Sequence, residues 1–161
     1  MADFDFSTLV TDRSPSDLEL LRDLLSTPMS DWTEEQLAEF NLARSKGAYN
    51  YTDLNRVGNA VSYVAGRLTE AGYLVPVSPK IDWTESDIPK ESDMQTYLAD
   101  VETIRNTLTV LPDTPEVPED MAGLTYEEAN DIERILLAVD ALITNMINAY
   151  FYSNEINCGE V

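Results

Sequence analysis

Apolar residues recur at alternating steps of three and four along three long stretches of this chain, and that spacing decides its fold class. Leu54, Val57, Val61, Val64 and Leu68 make the first set, and Met94, Tyr97, Val101, Ile104 and Leu108 the second. Ala129, Ile132, Leu136, Val139, Ile143, Met146 and Tyr150 make the third. Steps of this kind follow the roughly 3.6-residue turn of an α-helix and gather each set on one face. The pattern predicts an all-α fold, an antiparallel helical bundle of three long helices packed side by side.

Start and stop signals frame these helices. Thr52 or Asp53 caps the first and Gly72 closes it; the second begins at Ser92 and stops before Pro112; Thr125 and Glu128 form a capping box for the third. Two shorter helices precede them. Ser14-Pro15-Ser16-Asp17 opens one, whose stripe of Leu18, Leu21, Leu24 and Leu25 ends before Pro28. Thr33 and Gln36 open another, which turns Leu37 and Phe40 inward and stops at Gly47. Residues 1–45 thus read as an N-terminal helical arm, separate from the bundle or part of the same domain, and 46–161 as the bundle domain. The proline-bearing connectors 73–91 and 111–123 are expected to run over the surface, the first with a short β-like start and the second extended. The tail from Tyr150 to Val161 reads as a short β-like C-terminal segment.

Charge and composition narrow the function. Thirty acidic residues against ten basic ones leave a net charge of −20. Such a chain repels nucleic acid phosphates and anionic membrane surfaces, which require Lys and Arg, so neither nucleic acid nor membrane is an expected partner. No run of about 18 apolar residues offers a membrane span, and the N-terminus lacks a signal peptide's charged and apolar regions, so the chain is expected to stay soluble after synthesis in the cytoplasm.

The absence of histidine removes imidazole catalysis and imidazole metal ligands. Cys158 has no internal partner for a disulfide. The six glycines are scattered and form no phosphate loop. Asp113, Glu116, Glu119 and Asp120 do not follow a calcium-loop spacing. No catalytic residue, cofactor or metal site is expected, and the chain reads as a docking protein, not an enzyme.

Candidate contact residues come from two patterns. Gly58, Ser62 and Gly66 recur every fourth residue in the first long helix. Glycine there costs about 1 kcal/mol against alanine, so a helix or a partner subunit is expected to approach this stripe closely. Aromatic residues outside the stripes, Tyr49, Tyr51 and Trp83 together with Tyr150, Phe151 and Tyr152, are of the type that anchors interfaces or stacks on sugars. The last helix also carries Ile135, Leu137, Leu142, Ile147 and Phe151 beside its main stripe. That face suits either a central place in the bundle or burial between subunits.

The stretch from Lys46 through Gly47-Ala48-Tyr49-Asn50-Tyr51-Thr52-Asp53-Leu54-Asn55-Arg56-Val57, running on to Leu68, resembles a segment of tail-associated structural proteins of phages and prophages of Gram-positive gut bacteria. Thr11-Asp12-Arg13, Ser78-Pro79-Lys80-Ile81-Asp82-Trp83-Thr84, and Leu124-Thr125-Tyr126 with Asn130 through Leu136 resemble the same group. The resemblance implies a virion component at the tail tip, baseplate or a fibre attachment point. Its expected partners are other phage tail proteins and further copies of itself, as a trimer or hexamer. Two other expectations stand beside it: an acidic cytoplasmic adaptor or inhibitor that mimics DNA, and a sugar-binding receptor module using the loop aromatics.

Overall fold

The computed structural model describes residues 3–156, with the side chains at 39, 41–45 and 151–156 left out. It contains five α-helices: α1 (Pro15–Leu25), α2 (Glu34–Gly47), α3 (Tyr51–Glu70), α4 (Glu91–Thr107) and α5 (Tyr126–Ile156). No strand occurs among the described residues. The chain is all-α, and α3, α4 and α5 pack on one another around the core.

Each long helix starts where a side chain can replace the missing backbone partners. Asn50 accepts from Thr52 N at 2.9 Å while Asp53 reaches back to Asn50 N at 2.8 Å, so the cap of α3 is Asn50 and not the expected Thr52 or Asp53. Asp93 accepts from Lys90 N at 3.0 Å, and Glu128 and Thr125 exchange bonds of 2.8 and 3.2 Å. Gly72, at φ 95°, ends α3: its N–H bonds Thr69 O and the Tyr73 N–H bonds Leu68 O, both at 3.0 Å.

The three stripes meet as expected. Leu54, Val57, Val61, Val101, Ile104, Ile132, Leu136, Val139 and Ile143 are all buried, joined by Val64, Leu68, Leu98 and Ile135. Burying each side chain stabilises the fold by about 1.5–3 kcal/mol, and together they lock the three helices into one core. Ile135 from the wider face of α5 lies in this core, so α5 is central to it.

Helix direction departs from the expected antiparallel order. The N-terminal ends of α3 (Tyr51, Leu54) and α4 (Pro89, Met94) and the approach to α5 (Met121, Leu124) line one common hollow. Near the start of α3, Arg56 pairs with Glu133 of α5; near its end, Arg67 pairs with Asp140 and donates to Thr144. The three helices are therefore parallel. Antiparallel neighbours need only a short loop of about 2–8 residues, whereas parallel ones need the chain to return the length of a helix. Residues 71–90 and 108–125 make those returns. Lys80 and Ile81 pass Gly58, and Trp83 then passes Asn55, whose amide exchanges two bonds of 2.8 Å with the Trp83 backbone. Arg105 holds the second return through Pro115 O at 2.6 Å and Glu116 at 2.6 Å.

A second correction concerns the tail. Residues 150–156, expected to be β-like, continue α5, because nothing in Tyr126–Ile156 interrupts the helix with glycine or proline. Residues 157–161 lie outside the described residues. In the first two helices only part of the expected stripe is covered: Leu21 and Leu24 are buried, while Leu18, Leu25 and Leu37 are exposed. α1 and α2 form a hairpin, with Gly47 against the Asp17 carbonyl and Leu21.

Gly58 shows what the small-residue stripe admits. A Cβ built there would lie 2.7 Å from Lys80 O and 3.1 Å from Ile81 Cγ2. The close neighbour is the returning connector, not another helix. On a free helix surface Gly58→Ala would stabilise by about 1 kcal/mol. Here it should lower stability by about 1–3 kcal/mol, because the 79–83 backbone must move. Thermal and urea unfolding check the sign.

Candidate interaction site

Beneath the N-terminal ends of the helices lies a buried network of four charges. Arg13, Asp53 and Glu133 have side chains at most 2 % exposed, and Arg56 is largely covered. Arg13 Nη2 donates to Asp53 Oδ1 at 2.9 Å and to Glu133 Oε1 at 2.7 Å. Arg56 grips Glu133 with two bonds, Nε to Oε2 at 3.0 Å and Nη2 to Oε1 at 2.7 Å. Two guanidinium groups balance two carboxylates, so the cluster as a whole is neutral. Burial alone would lower the pKa of Arg56, but the bond and charge of Glu133 outweigh it and push the group further up.

The same network fastens the N-terminal strand of chain to the bundle. Val10 N donates to Glu133 Oε2 at 2.7 Å, and Arg13 Nη1 donates to Val10 O at 2.6 Å. Asn130 pairs with both the N–H and the carbonyl of Arg13, each at 2.9 Å, and Arg134 reaches Thr11 O at 2.8 Å. Phe4 and Phe6 then settle on Tyr63 of α3, with ring centres 6.2 and 5.8 Å away.

Tyr49 links this network to the surface. The Arg13 guanidinium lies 5.4 Å from its ring centre, and its hydroxyl is in close contact with that of Tyr97. Desolvation, followed by the nearby Glu133 charge, pushes the Tyr49 phenol well above its ordinary pKa. The Tyr97 phenol is raised as well, first by burial and then by Tyr49.

Above Tyr49 opens a hollow of about 560 Å³, walled chiefly by Tyr49, Tyr51, Leu54, Trp83, Met94 and Met121 and rimmed by Glu85 and Asp87. A neighbouring hollow of about 460 Å³ shares Pro89, Met94 and Met121 with it and adds Leu98, Glu91, Glu119 and Asp120. The two form one groove between the N-terminal half of α4 and residues 119–122. Lys90 is the one cation among its lining residues. Thr84 N donates to Asp87 at 2.7 Å, and this bond lowers the pKa of that carboxyl.

The expected contact residues separate into three places. Tyr49, Tyr51 and Trp83 come together at the first hollow. Trp83 is only 6 % exposed, with the Lys80 ammonium 3.8 Å from its ring centre, so its face is already covered. Gly58 is buried under the first connector, and Ser62 and Gly66 lie half-buried further along α3. Tyr150 stands exposed near the far end of α5; the side chains of Phe151 and Tyr152 lie outside the described residues. Met94, Met121, Leu124 and the rim acids were missed as site residues. So was the charge network, although Asp53 and Glu133 announce it: each carries a charge on the apolar face of its helix, Asp53 four residues before Val57 and Glu133 four after Ala129.

Among the described residues, no group of three His, Cys, Asp or Glu side chains is arranged to hold a metal ion, and no helix is long and apolar enough to cross a membrane. Comparison with protein-family models, curated proteins and solved structures gives no match.

Glu133→Gln removes one charge from the cluster and leaves a buried guanidinium underpaired. It should cost about 3–5 kcal/mol in urea unfolding, with loss of protection at Val10 and Arg13 amides. The phenol pair sets an alkaline limit. The folded-state pKa values of Tyr49 and Tyr97 are raised, so their contribution is complete below about pH 10 and is lost as pH climbs beyond it. Stability should fall above that point, and the double change Tyr49→Phe, Tyr97→Phe should flatten the decline.

Proposed function

We propose that this protein is a structural or assembly component of a phage tail, acting by docking to other tail proteins. The observation that carries the reading is that α5 outlasts the bundle. At 31 residues against 20 for α3 and 17 for α4, it is about 46 Å long where its partners are about 30 and 26 Å. Tyr73, just past the end of α3, still reaches Met146 at 3.7 Å. Beyond it, Ile147 is 36 % and Tyr150 66 % exposed. A helix that carries apolar side chains past its own core is suited to burying them against another chain.

Two further features support a docking role. The segments that resemble phage tail proteins are scattered through the sequence, yet Arg13, Tyr49, Asp53, Arg56, Asn130 and Glu133 from them converge on one network. Those residues hold the fold, so what resembles the tail proteins is a rigid scaffold. The net charge of −20 keeps such a component from clumping before assembly.

Ile147→Asp with Tyr150→Asp tests the reading. Both sites lie outside the core, so the melting temperature should change little. Copies of the variant in purified particles should fall at least tenfold, or the oligomer seen by light scattering should shrink. Normal incorporation of the variant removes α5 as the contact. Absence of the unmodified protein from particles overturns the tail reading in favour of an acidic adaptor.

A further inference from the structure

The groove at the N-terminal end of the bundle has a floor and a rim of different chemistry. Its floor is apolar and adaptable: Met94, Leu98 and Met121 continue the aromatic wall of Tyr49 and Tyr51. Its rim is acidic, with Glu85, Asp87, Glu91, Glu119 and Asp120 set against Lys90 in the lining and Lys80, which pairs with Asp87 at 3.6 Å. Its shape is elongated, because the two hollows share a wall and run on along α4 beside the second connector.

We propose that this groove seats a basic segment of a partner protein, anchored by large apolar side chains in the Tyr49–Met94–Met121 hollow while its lysines or arginines face the acidic rim. This rests on the docking reading above and names the partner's chemistry. Charge decides between occupants. A second copy of the chain would bring another −20 to the same rim, and nucleic acid would bring phosphates. A neutral sugar could meet the aromatic wall but would leave the acidic rim without a counter-charge. A cationic peptide with apolar anchors satisfies both floor and rim, and the hollow of about 560 Å³ has the size of a ligand pocket.

The test uses the full chain and a probe peptide of about ten residues with alternating lysine and leucine, beside its glutamate–leucine counterpart. Methyl signals of Met94 and Met121 should shift on titration with the first peptide and not with the second, and raising salt should weaken the binding. Glu85→Gln, Glu91→Gln and Glu119→Gln together should weaken it about tenfold. A control of equal net charge, Glu19→Gln, Glu34→Gln and Glu70→Gln, should change it less than twofold. All six sites are exposed, so both variants should keep the original melting temperature. Equal weakening by the two variants, shifts that bypass Met94 and Met121, or affinity indifferent to salt would overturn the proposal. Its failure leaves the tail reading intact if the protein is still found in particles. Absence from particles with groove binding intact would instead remove the tail reading and leave the groove standing.

Discussion

The rest of the structure hangs on the pairing of Glu133 with two arginines. Glu133 lies in the N-terminal third of α5 and is wholly buried, and it takes bonds from Arg13, Arg56 and the Val10 backbone at once. Hydrophobic burial packs α3 against α5, but it penalises a shifted register less sharply than a buried charge does. A buried carboxylate does not slide, because any other register leaves it without partners in a low-dielectric interior. It also recruits residues 10–13, which belong to no helix and have little apolar surface of their own. The N-terminal segment is therefore part of the bundle's interior wiring.

Parallel helices create an electrostatic problem that the sequence answers locally. Three helix N-termini at one end bring three partial positive charges together, where antiparallel neighbours would cancel them. Asp53, Asp93 and Glu128 each sit in a first turn and bind the backbone there, so every positive end carries its own carboxylate. With that field neutralised, the further acids on connectors and rim leave the end with a negative surface.

Much of this was legible in the sequence. The three–four spacing located the helices and most of the core, because a helix buries its stripe whatever its neighbours' direction; of the three stripes only Met94, Leu108 and Met146 are partly buried and Tyr150 exposed. Direction was misread for a physical reason. Periodicity carries no sign, and only connector length distinguishes a hairpin turn from a return crossing. The proline-bearing connectors 73–91 and 111–123 read as surface segments, the second extended, but their length was not connected to a return along the helices. The tail was misread because aromatic and β-branched residues near a chain end suit a strand as well as a helix; continuity with α5 decided it. The buried network was missed because arginine and glutamate default to the surface, although a charge on an apolar stripe is the one place where that default fails.

Placement of the aromatics shows how a fold redistributes residue types that look alike in sequence. Tyr49, Tyr51 and Trp83 read as equivalent loop aromatics, yet Trp83 is almost entirely covered and Tyr49 is bound at both ends, by Arg13 on its ring and Tyr97 at its hydroxyl. What they offer a partner is a fixed wall, not a mobile anchor. A fixed wall favours binding, since little side-chain freedom remains to be lost when a segment docks. Adaptability comes instead from Met94 and Met121, whose unbranched side chains can reshape the floor around different apolar anchors. A rigid aromatic wall, a compliant thioether floor and an acidic rim together favour a class of segment over a single sequence. Selectivity for one segment would then have to come from outside the groove, and α5, the longest helix, ends at the opposite end of the bundle.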